Sequence, residues 1–412
     1  MVGLVEALGR FARKRVMLIG DLMLDTYTIG RVKRISPEAP VPILFAERQE
    51  ERPGGAGNVA LNLAALGADV LLIGRIGEDA SSIRLQEVLT ESNIQIKNLI
   101  IQSNYTLPVK NRLIADNQQM MRVDFENNIA FTDEEPLLQE IASLLDAVDI
   151  IAFSDYGKGF LTPRLLQGLI LLAKERSIPV IVDPKGSDFS RYVGATLIKP
   201  NLQEAIAAAH LSHEATLEEI AAVILEETLA EALLITRSEE GISLFQPSLP
   251  AEHFPVRMRE VKDVTGAGDT ALAMLALAIA NGFSLGQAAT LANIAAGIAI
   301  ERFGCARITL AEVASRLFEL DVSNKIFDEG HLATLRLALE GRPHTVLQVS
   351  GTGELSQELF HEIRKLSQDH ILILFIEESA QNDAFITLLA SLQEVDFILL
   401  QKDAPLKLTG PQ

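Results

Sequence analysis

Cysteine, tryptophan and long apolar runs are scarce or missing in this sequence of 412 residues. It contains a single cysteine, Cys305, and no tryptophan. One cysteine excludes an intrachain disulfide and is typical of a reducing compartment, and its simplest role is that of a small buried apolar side chain. No apolar run reaches the ~18 residues that a membrane-spanning helix needs. These absences predict a chain that folds around a hydrophobic core.

Basic residues are also few, because 36 Lys and Arg stand against 55 Asp and Glu and give a net charge of −19. Such an acidic chain disfavours nucleic acids and membranes as partners, so a phosphorylated ligand must be held by a local group of cations. In residues 1–15 the basic side chains follow the apolar ones, which is the reverse of their order in a signal peptide. We therefore expect a cytoplasmic protein, and the length predicts two to three domains.

The most informative stretch is Asp263-Val264-Thr265-Gly266-Ala267-Gly268-Asp269-Thr270, which leads into an apolar run at 271–280 and then Asn281-Gly282. The run predicts a buried helix that ends near the glycine. The first turn of a helix has unpaired backbone N–H groups and a positive dipole end, and glycines let a ligand approach them. We therefore predict an anion site at residues 266–268, with Asp269 beside it.

A carboxylate beside an anion site suits phosphoryl transfer. The backbone N–H groups of Gly266, Ala267 and Gly268 would neutralise charge on the transferring group, and Asp269 would accept the proton of the attacking hydroxyl. The alternative is structural: Asp269 complements the helix dipole and the glycines make a tight turn. The joint occurrence of the loop, the Asp and the buried helix favours the catalytic interpretation.

At these residues the sequence resembles the C-terminal signature of the PfkB (ribokinase-like) carbohydrate kinases, although Val264 stands where many members have Thr. The stretch Arg52-Pro53-Gly54-Gly55-Ala56-Gly57-Asn58, which opens a predicted helix at 59–66, matches the family's N-terminal Gly-Gly-x-x-Asn signature. The resemblance implies an α/β fold with a doubly wound, mainly parallel sheet and a small β lid. It also implies transfer of the ATP γ-phosphoryl group to a sugar hydroxyl, with Asp269 as the base.

The lid is predicted at residues 30–51 and 105–126, which read as alternating strands outside the main sheet. Pro37, Pro40 and Pro42 suit edge strands because proline donates no ladder hydrogen bond. A lid of this kind excludes water from phosphoryl transfer. The resemblance implies that it also pairs two subunits into a homodimer.

The substrate is expected at the carboxyl ends of parallel strands, where open α/β sheets bind ligands. Asp21 and Asp25 follow the predicted strand 16–20, and the resemblance implies that one of them holds substrate hydroxyls, while a turn-capping role stays open. Lys185 follows the predicted strand 179–183 and is the leading candidate for a substrate phosphate. The complete predicted substrate set is Asp21, Asp25, Gly54, Gly55, Asn58 and Lys185.

The nucleotide site is implied by a second group of matches. Asn201 and Glu204 follow the predicted strand 195–199 and resemble the family's Asn-x-x-Glu motif, in which the Glu positions Mg²⁺ through water. A helix-capping pair fits the same spacing equally well. The resemblance implies ATP and Mg²⁺ as cofactors and allows a monovalent cation such as K⁺. The nucleotide residues it implies are Asn201, Leu202, Gln203, Glu204, Thr236, Ser238, Gly241 and Asn293.

Within the family, the chain most resembles the D-glycero-β-D-manno-heptose 7-phosphate kinases of lipopolysaccharide core synthesis. The matches are Gly20-Asp21-Leu22-Met23-Leu24-Asp25, Arg34-Ile35-Ser36-Pro37-Glu38-Ala39-Pro40-Val41-Pro42, Glu51-Arg52-Pro53-Gly54-Gly55, Asn117-Gln118-Gln119 with Arg122 and Asp124, Ser154-Asp155-Tyr156-Gly157-Lys158-Gly159, and Asp183-Pro184-Lys185-Gly186. The implied acceptor is the anomeric hydroxyl, and the product is the 1,7-bisphosphate. The candidate cations for the existing phosphate are Lys185, Lys158, Arg112, Lys110 and Arg122.

Asp116 departs from this pattern, because a basic residue is expected before Asn117-Gln118-Gln119 in many relatives. An acid that faced the pocket would repel a phosphate. Kinases for another sugar or sugar phosphate therefore remain an alternative, and a non-catalytic regulator is a second one. Retention of Asp269, of both glycine signatures and of Glu204 argues against the regulator.

The kinase pattern is predicted to fill residues 1–322 and a second module residues 323–412. The second module reads as a βαβαβ unit with elements at 345–349, 355–366, 371–376, 384–392 and 396–400. In bifunctional heptose enzymes a nucleotidyltransferase follows here, with His-x-Gly-His after its first strand. This chain has Ser350-Gly351-Thr352-Gly353-Glu354 instead. We therefore expect a degenerate transferase-like module without adenylyltransferase activity.

Overall fold

The computed structural model describes residues 2–116, 118–127, 129–256, 261–320, 325–350, 354–368, 370–377 and 383–401. It separates into a large unit of residues 13–308 and a small unit of residues 1–12 and 309–412. The predicted boundary at 322 is therefore misplaced. Helices α1 (Val2–Leu8) and α10 (Leu310–Leu320) belong to the small unit, because they pack on each other and on α11 (Leu332–Leu339). No described helix is long and apolar enough to cross a membrane.

The large unit contains thirteen strands among its described residues. They are β1 (Arg15–Gly20), β2 (Leu22–Ile35), β3 (Pro42–Gly55), β4 (Asp69–Ile76), β5 (Leu99–Ile101), β6 (Val109–Ala115), β7 (Gln118–Phe125), β8 (Ile150–Ser154), β9 (Val180–Asp183), β10 (Leu197–Ile198), β11 (Ala232–Thr236), β12 (Ile242–Phe245) and β13 (Glu252–Phe254). Nine of these strands form the main sheet, in the order β13-β12-β11-β10-β9-β8-β1-β4-β5. All neighbours pair in parallel except at β11–β12 and β12–β13. The prediction of a mainly parallel α/β sheet is confirmed.

Helices cover this sheet. They are α2 (Ala56–Ala65), α3 (Ala80–Glu91), α4 (Glu134–Leu144), α5 (Pro163–Glu175), α6 (Leu202–Ala209), α7 (Leu217–Thr228), α8 (Ala267–Ala280) and α9 (Leu285–Ile300). Helix α8 is apolar on every face, as a helix that is buried all round must be. It is buried from Asp269 to Ala278, between α2 and α9. Its helical start at Ala267 puts Asp269 in the first turn, as the sequence predicts.

The lid is a second sheet with the order β3-β2-β6-β7. Strand β2 begins at Leu22, before the predicted lid bound of 30, and β3 ends at Gly55, after the predicted bound of 51. Asp25, Gly54 and Gly55 therefore lie in lid strands rather than in loops. Strand β3 is an edge strand that starts at Pro42, while Pro37 and Pro40 lie in the preceding hairpin loop. The proline pattern therefore identified the edge correctly.

The small unit holds a parallel four-stranded sheet with the order β14-β17-β16-β15. Its strands are β14 (Ile326–Phe327), β15 (His344–Val349), β16 (Ile371–Glu377) and β17 (Phe397–Gln401), and its remaining helices are α12 (Gln357–Leu366) and α13 (Asp383–Ala390). The predicted βαβαβ order is present, whereas β14 and α11 were not predicted. Gly351 and Gly353, the weak nucleotide-binding pattern, lie outside the described residues.

Candidate active site

The carboxyl ends of four neighbouring strands bring ionisable side chains to one edge of the main sheet. Asp21 follows β1, Asp155 follows β8, Asp183 ends β9 and Lys199 follows β10. Parallel strands share their carboxyl edge, so residues that are far apart in sequence converge there. The N-terminus of α8, with Asp269, lies at the same edge. The charge of Lys199 acts on Asp269 there.

Asp269 is buried and held by two side chains. Asn58 Nδ2 donates to its Oδ2 at 2.7 Å, and the Tyr156 hydroxyl donates to its Oδ1 at 2.8 Å. Burial raises the pKa of Asp269, while the bonds from Asn58 and Tyr156 and the charge of Lys199 oppose that rise. A carboxylate that only complemented the helix dipole would not need two side-chain donors. Asn58, predicted to bind substrate, therefore orients the predicted base.

The anion loop before α8 is shaped by glycine. Gly266 caps the helix with φ 79°, a left-handed conformation that glycine adopts without strain. A Cβ atom at this position would lie 2.8 Å from Asn58 Nδ2, so the loop also needs the missing side chain. Asp263 fixes the approach to the loop, because it accepts from Thr265 N at 2.9 Å and from Gly304 N at 2.8 Å. The loop is therefore rigidly presented, as an anion site requires.

A cavity of about 260 Å³ opens beside this loop. It brings together predicted residues from three parts of the chain, and its wall includes Thr236, Ser238, Gly241, Asn293, Ala267 and Gly268. Val256, Val261 and Ile300 make much of the wall apolar, which suits a planar base. The Asn293 amide donates to the carbonyl oxygens of Phe254 and Pro255, both at 3.1 Å, so it fixes the cavity wall through backbone contacts.

The Asn201–Glu204 motif adjoins that wall, because Asn201 bridges to Thr236, and it forms a capping box on α6. Asn201 Oδ1 accepts from Glu204 N at 2.9 Å, and Glu204 Oε2 accepts from Asn201 N at 3.1 Å. Glu204 Oε1 also accepts from Lys185 Nζ at 2.7 Å. Leu202 packs against the core and Gln203 is exposed. The capping role is thus present, and Lys185 is engaged by Glu204 rather than free for a substrate phosphate.

Partly buried Asp183 and buried Lys199 form an ion pair that sequence reasoning missed. Their Oδ1 and Nζ atoms are 2.9 Å apart, and a Cβ atom at Gly268 would lie 3.8 Å from Lys199 Nζ. The pKa of Asp183 is raised to about 6. Burial is the main cause, the charges of Asp269 and Glu204 contribute to the rise, and the charge and hydrogen bond of Lys199 oppose it. The carboxylates of Asp183, Asp269 and Glu204 are therefore close enough to influence one another electrostatically beside the anion loop. Oxygen ligands of this type suit Mg²⁺.

Asp21 and Asp25, which the sequence left as alternatives, have different surroundings. Asp21 Oδ2 accepts the backbone N–H groups of Tyr156 at 2.9 Å and Lys158 at 3.0 Å, so Asp21 holds the loop after β8. Asp25 is paired with Arg112 and faces Gly54, where any Cβ atom would collide with its Oδ2. Asp25 also helps to raise the pKa of Asp269. The other oxygen of Asp21, Oδ1, is buried with no hydrogen-bond partner among the described residues, so both aspartates remain candidate substrate ligands.

One face of the lid, here called the cation face, carries basic residues in register. Lys110 lies opposite Asp25, and Arg112 lies opposite Arg122. Residues directly opposite each other in neighbouring strands share a face. Lys158, from the loop after β8, adds a further positive charge to the field at Lys110. The sequence named these four cations among its phosphate candidates, and the structure groups them.

Lys110 differs from the other cations because no described carboxylate lies within ion-pair distance of it. Arg112 pairs with Asp25, Arg122 with Asp124 and Lys158 with Glu126. The Lys110 ammonium lies 5.3 Å from the centre of the Tyr156 ring. Burial lowers its pKa, the charge of Asp25 opposes that change, and the neighbouring cations add to it. A partly buried ammonium among like charges favours an anionic ligand.

Asp116 is exposed in the turn between β6 and β7. It lies six residues beyond Lys110 along β6, a distance of about 20 Å at the rise of a β-strand. The acidic departure from the heptose pattern therefore does not lie within the cation face. Asn117, the first residue of the matching motif, lies outside the described residues.

Several site residues were found only in the structure. Tyr156 and Asp183 stood within quoted motifs without an assigned role, whereas Lys199 gave no sequence signal beyond its strand end. Cys305 Sγ would lie 3.3 Å from a Cβ atom at Gly266, so the single cysteine borders the anion loop. Burial raises the pKa of its thiol to about 12, which keeps it protonated. That protonation fits the predicted role of a small, unreactive side chain.

The structure is that of an α/β protein with a mainly parallel sheet, a β lid and a group of ionisable side chains at the carboxyl edge of the sheet. Residues 13–311 match the model of the pfkB family carbohydrate kinases, and the chain belongs to that family. The Bifunctional protein HldE of Hahella chejuensis is 45% identical over 306 residues, which are 74% of this chain and 63% of that protein. HldE of Actinobacillus succinogenes is 36% identical over 420 residues, which are 97% of this chain and 87% of that protein.

Solved structures show the same fold at low sequence identity. Ribokinase of Arabidopsis thaliana, complexed with ribose and ATP, gives a TM-score of 0.60 at 18% identity over 74% of this chain and 99% of that one. Phosphofructokinase-2 of Escherichia coli, in complex with potassium, gives 0.61 at 19% identity over 75% and 99%. These likenesses confirm the ribokinase-like fold that the sequence resemblance implied.

Proposed function

We propose that this chain is an ATP-dependent kinase that phosphorylates the anomeric hydroxyl of D-glycero-β-D-manno-heptose 7-phosphate to give the 1,7-bisphosphate. The observation that carries the proposal is the setting of Asp269. It stands on the first turn of α8 next to Gly268, which lines the nucleotide cavity, and within the field of Asp25 on the lid. The heptose rests on the sequence resemblance, and the relatives named HldE support it.

The chemistry follows from these positions. The acceptor hydroxyl would lie between Asp25 and Asp269, and Asp269 would accept its proton as the oxygen forms a bond to the γ-phosphorus. The bond from that phosphorus to the bridging β,γ-oxygen breaks, and ADP leaves. Backbone N–H groups at residues 266–268 would stabilise the charge on the transferring group.

The cation face supports a substrate that already carries a phosphate. Arg112, Arg122 and Lys158 are each balanced by a carboxylate, while Lys110 is not. A phosphate group on the sugar would supply the missing negative charge close to Asp25. An unphosphorylated sugar would leave partly buried Lys110 with only the charge of Asp25, which Arg112 already pairs, to offset its own, and this is a cost. A kinase for another sugar phosphate is the nearest alternative, and a non-catalytic regulator is the more distant one.

ATP and Mg²⁺ belong to this proposal as cofactors. The cavity lined by Thr236, Ser238, Gly241 and Asn293 would hold the nucleotide. Asp183 and Glu204 would hold Mg²⁺ through water, and the metal would neutralise phosphate charge when bound. Lys185 and Lys199 now balance these two carboxylates and would turn to phosphate oxygens. A requirement for K⁺ and a cytoplasmic location remain predictions.

The predicted homodimer through the lid is supported by the outward face of the lid. Met121 and Phe125 alternate with the cation-face residues along β7 and are 60% and 56% exposed. Large exposed apolar side chains on a sheet mark an interaction surface. We expect the mass in solution to be that of a dimer, and Phe125→Lys to shift it towards the monomer.

The small unit is proposed to lack adenylyltransferase activity. Its sequence has Ser350-Gly351-Thr352-Gly353 where the transferases have their His-x-Gly-His motif. Among the described histidines, buried His331 has its Nδ1 atom 2.7 Å from Asp328 Oδ1, a contact within the turn that contains both residues. Incubation with ATP and the heptose 1-phosphate should release no pyrophosphate. Release would show a working transferase and overturn this part of the proposal.

The kinase is tested by ADP release with ATP, Mg²⁺ and the heptose 7-phosphate, beside a panel of other sugars and sugar phosphates. We expect heptose-dependent turnover that Asp269→Asn lowers by about 10²–10⁴-fold, the range for loss of a general base. Turnover with another sugar alone would retain the kinase and discard the heptose. Retained ATP binding without any turnover across the panel would favour the regulator.

A further inference from the structure

We propose that Tyr156 is a positioning residue that orients the Asp269 carboxylate through the hydrogen bond from its hydroxyl. This inference rests on the proposed role of Asp269 as the base. Tyr156 would touch neither the nucleotide nor the transferring group, and it acts only through Asp269.

Tyr156 is fixed at both of its ends. Its backbone N–H donates to Asp21 Oδ2 at 2.9 Å, and its hydroxyl donates to Asp269 Oδ1 at 2.8 Å. Next to it, Gly157 N donates to Asp155 Oδ1 at 2.8 Å, which anchors the same loop. A Cβ atom at Gly55 would lie 3.4 Å from Tyr156 Cδ2, an ordinary contact distance, so the lid strand passes directly beside the ring. These contacts therefore fix the Tyr156 hydroxyl at Asp269 Oδ1.

The two oxygens of Asp269 divide the donors between them. Oδ2 takes Asn58 Nδ2 and Oδ1 takes the Tyr156 hydroxyl, which leaves each oxygen a further lone pair. Two donors on opposite sides of a carboxylate stop its rotation, so the free lone pairs keep one direction. The Asn58 side chain is itself restrained, because Asn62 Nδ2 donates to its Oδ1 at 3.4 Å as well as to the Asn58 backbone carbonyl at 3.1 Å. An oriented lone pair is what a general base needs.

The charged and titratable groups around Asp269 come from several elements. Asn58 of α2 and Tyr156 of the loop after β8 touch it. The groups that act on it through charge are Lys199 after β10, Asp25 of β2, Asp183 of β9 and the thiol of Cys305. Lys199 favours the ionised carboxylate and the two aspartates oppose it. Removal of the Tyr156 hydroxyl therefore changes one contact and no charge.

The direction of the effect follows from which form Tyr156 binds. A hydroxyl donor stabilises the ionised carboxylate and lowers its pKa against the effect of burial. The pKa of Tyr156 itself lies well above its ordinary value because of burial and the charge of Asp269, so the hydroxyl stays a donor. Without this donor Asp269 would hold its proton to higher pH.

The test is the pH profile of kcat/KM for Tyr156→Phe. The phenylalanine keeps the ring that Lys110 and Gly55 approach, so we expect the KM for the sugar phosphate to change less than about twofold. We expect the acid limb to move up by about one pH unit, the shift that loss of one hydrogen bond to a charged group produces. At neutral pH, kcat should fall about tenfold.

Tyr192→Phe is the matched control. Its hydroxyl donates to a different buried carboxylate, Asp155 Oδ2, at 2.7 Å and makes no contact with Asp269. It should leave the acid limb in place even if it lowers stability. If Tyr156→Phe folds poorly, fluorotyrosine at 156 keeps the ring and strengthens the donor, so the acid limb should move to lower pH.

An acid limb unchanged in both Tyr156 variants would overturn the inference and leave Tyr156 a merely structural residue. The outcome is separate from that for the proposed function. Turnover that survives Asp269→Asn rejects the base itself. Turnover that is abolished by Asp269→Asn, with no shift in the Tyr156 variants, rejects only the positioning role.

Discussion

The large and small units are both parallel α/β structures, yet their interiors hold different side chains. Among the described residues, the large unit buries the ionisable groups Asp21, Asp25, Arg75, Asp155, Lys199 and Asp269. The small unit buries one titratable group, His331, and otherwise the hydroxyl of Thr334. Buried polar groups cost free energy unless they are paired, so a fold carries many of them only where they serve a purpose.

The comparison separates fold from function. Alternation of strands and helices suffices to build both sheets, because each needs only apolar strands and a helical cover. The large unit adds a polar layer at its carboxyl edge, in which almost every member contacts another. Arg75, for example, donates to the carbonyl oxygens of Ile129 at 2.7 Å and Lys158 at 2.6 Å, and so supports the loop that carries Tyr156. The polar layer, rather than the sheet, therefore makes the large unit a candidate enzyme.

The largest expected effect comes from breaking the ion pair of Asp183 and Lys199 in the large unit. Lys199→Met leaves Asp183, whose side chain is 17% exposed, without its partner, which should lower the free energy of unfolding by about 3 kcal/mol, the lower end of the range for a fully buried pair. The pKa of Asp183, about 6, should rise further, while the unfolded chain releases this proton near its ordinary value of 3.8. The variant therefore loses stability as pH rises, and its deficit against the wild type should be larger at pH 8 than at pH 5.

Urea unfolding of both proteins at the two pH values measures this deficit. Lys174→Met is the control, because Lys174 is exposed near the end of α5 and should change stability by less than about 0.5 kcal/mol. An equal deficit at pH 5 and pH 8 would mean that Asp183 does not depend on Lys199.

A smaller effect is expected from the left-handed glycine of the anion loop. Gly266→Ala adds a Cβ atom that would lie 2.8 Å from Asn58 Nδ2, so it should displace the donor of Asp269 and lower kcat by about 10²-fold. Gly282→Ala is the control, since Gly282 has φ 80° but no atom within 4 Å of the added Cβ.

Both glycine variants should lose about 1–3 kcal/mol of stability through backbone strain, and only Gly266→Ala should lose activity. Thermal unfolding and ADP release on the two proteins make the measurement. Matched loss of activity in both variants would assign the effect to stability rather than to the site.

The smallest effect sharpens the contrast between the units directly. Thr270 Oγ1 donates to the Gly266 carbonyl at 3.0 Å, and Thr334 Oγ1 donates to the Val5 carbonyl; both threonines are fully buried. Each Thr→Val change keeps the shape and should cost about 1 kcal/mol. Turnover should fall several-fold in Thr270→Val and stay unchanged in Thr334→Val. A fall in both would show that polar groups in the small unit also matter for the reaction.

Local patterns predicted the elements well, because they depend on neighbours in the sequence. The apolar run that became α8, the glycines before it and the strand that ends at Gly20 were all assigned from composition and spacing. The lid was located by its prolines and its alternation. The boundary near residue 322 was misplaced because α1 joins α10 and α11 only through packing, and no local pattern reports which unit a helix packs on.

Single residues were predicted less well than motifs. Asp21 and Asp25 are four residues apart and chemically equal in the sequence. Only the folded structure distinguishes them, because Asp21 follows β1 and Asp25 lies in lid strand β2. Lys185 was expected at a phosphate because it follows a strand, but Glu204 lies within reach and engages it. Lys199 carried no signal, since a lysine at a strand end is usually solvated.

The sequence by itself determined the class of fold, the glycine loop before α8 and the positions of the lid strands, and it predicted Asp269 as the base. Each of these depends on periodicity, glycine or helix-terminus chemistry within about twenty residues. Tertiary structure decided which side chains meet: it joins Tyr156 to Asp269 and Lys199 to Asp183, and it leaves Lys110 without a carboxylate at ion-pair distance among the described residues. Those contacts join residues brought together at the sheet's carboxyl edge, and burial there sets their charges, because desolvation and pairing act through space rather than along the chain.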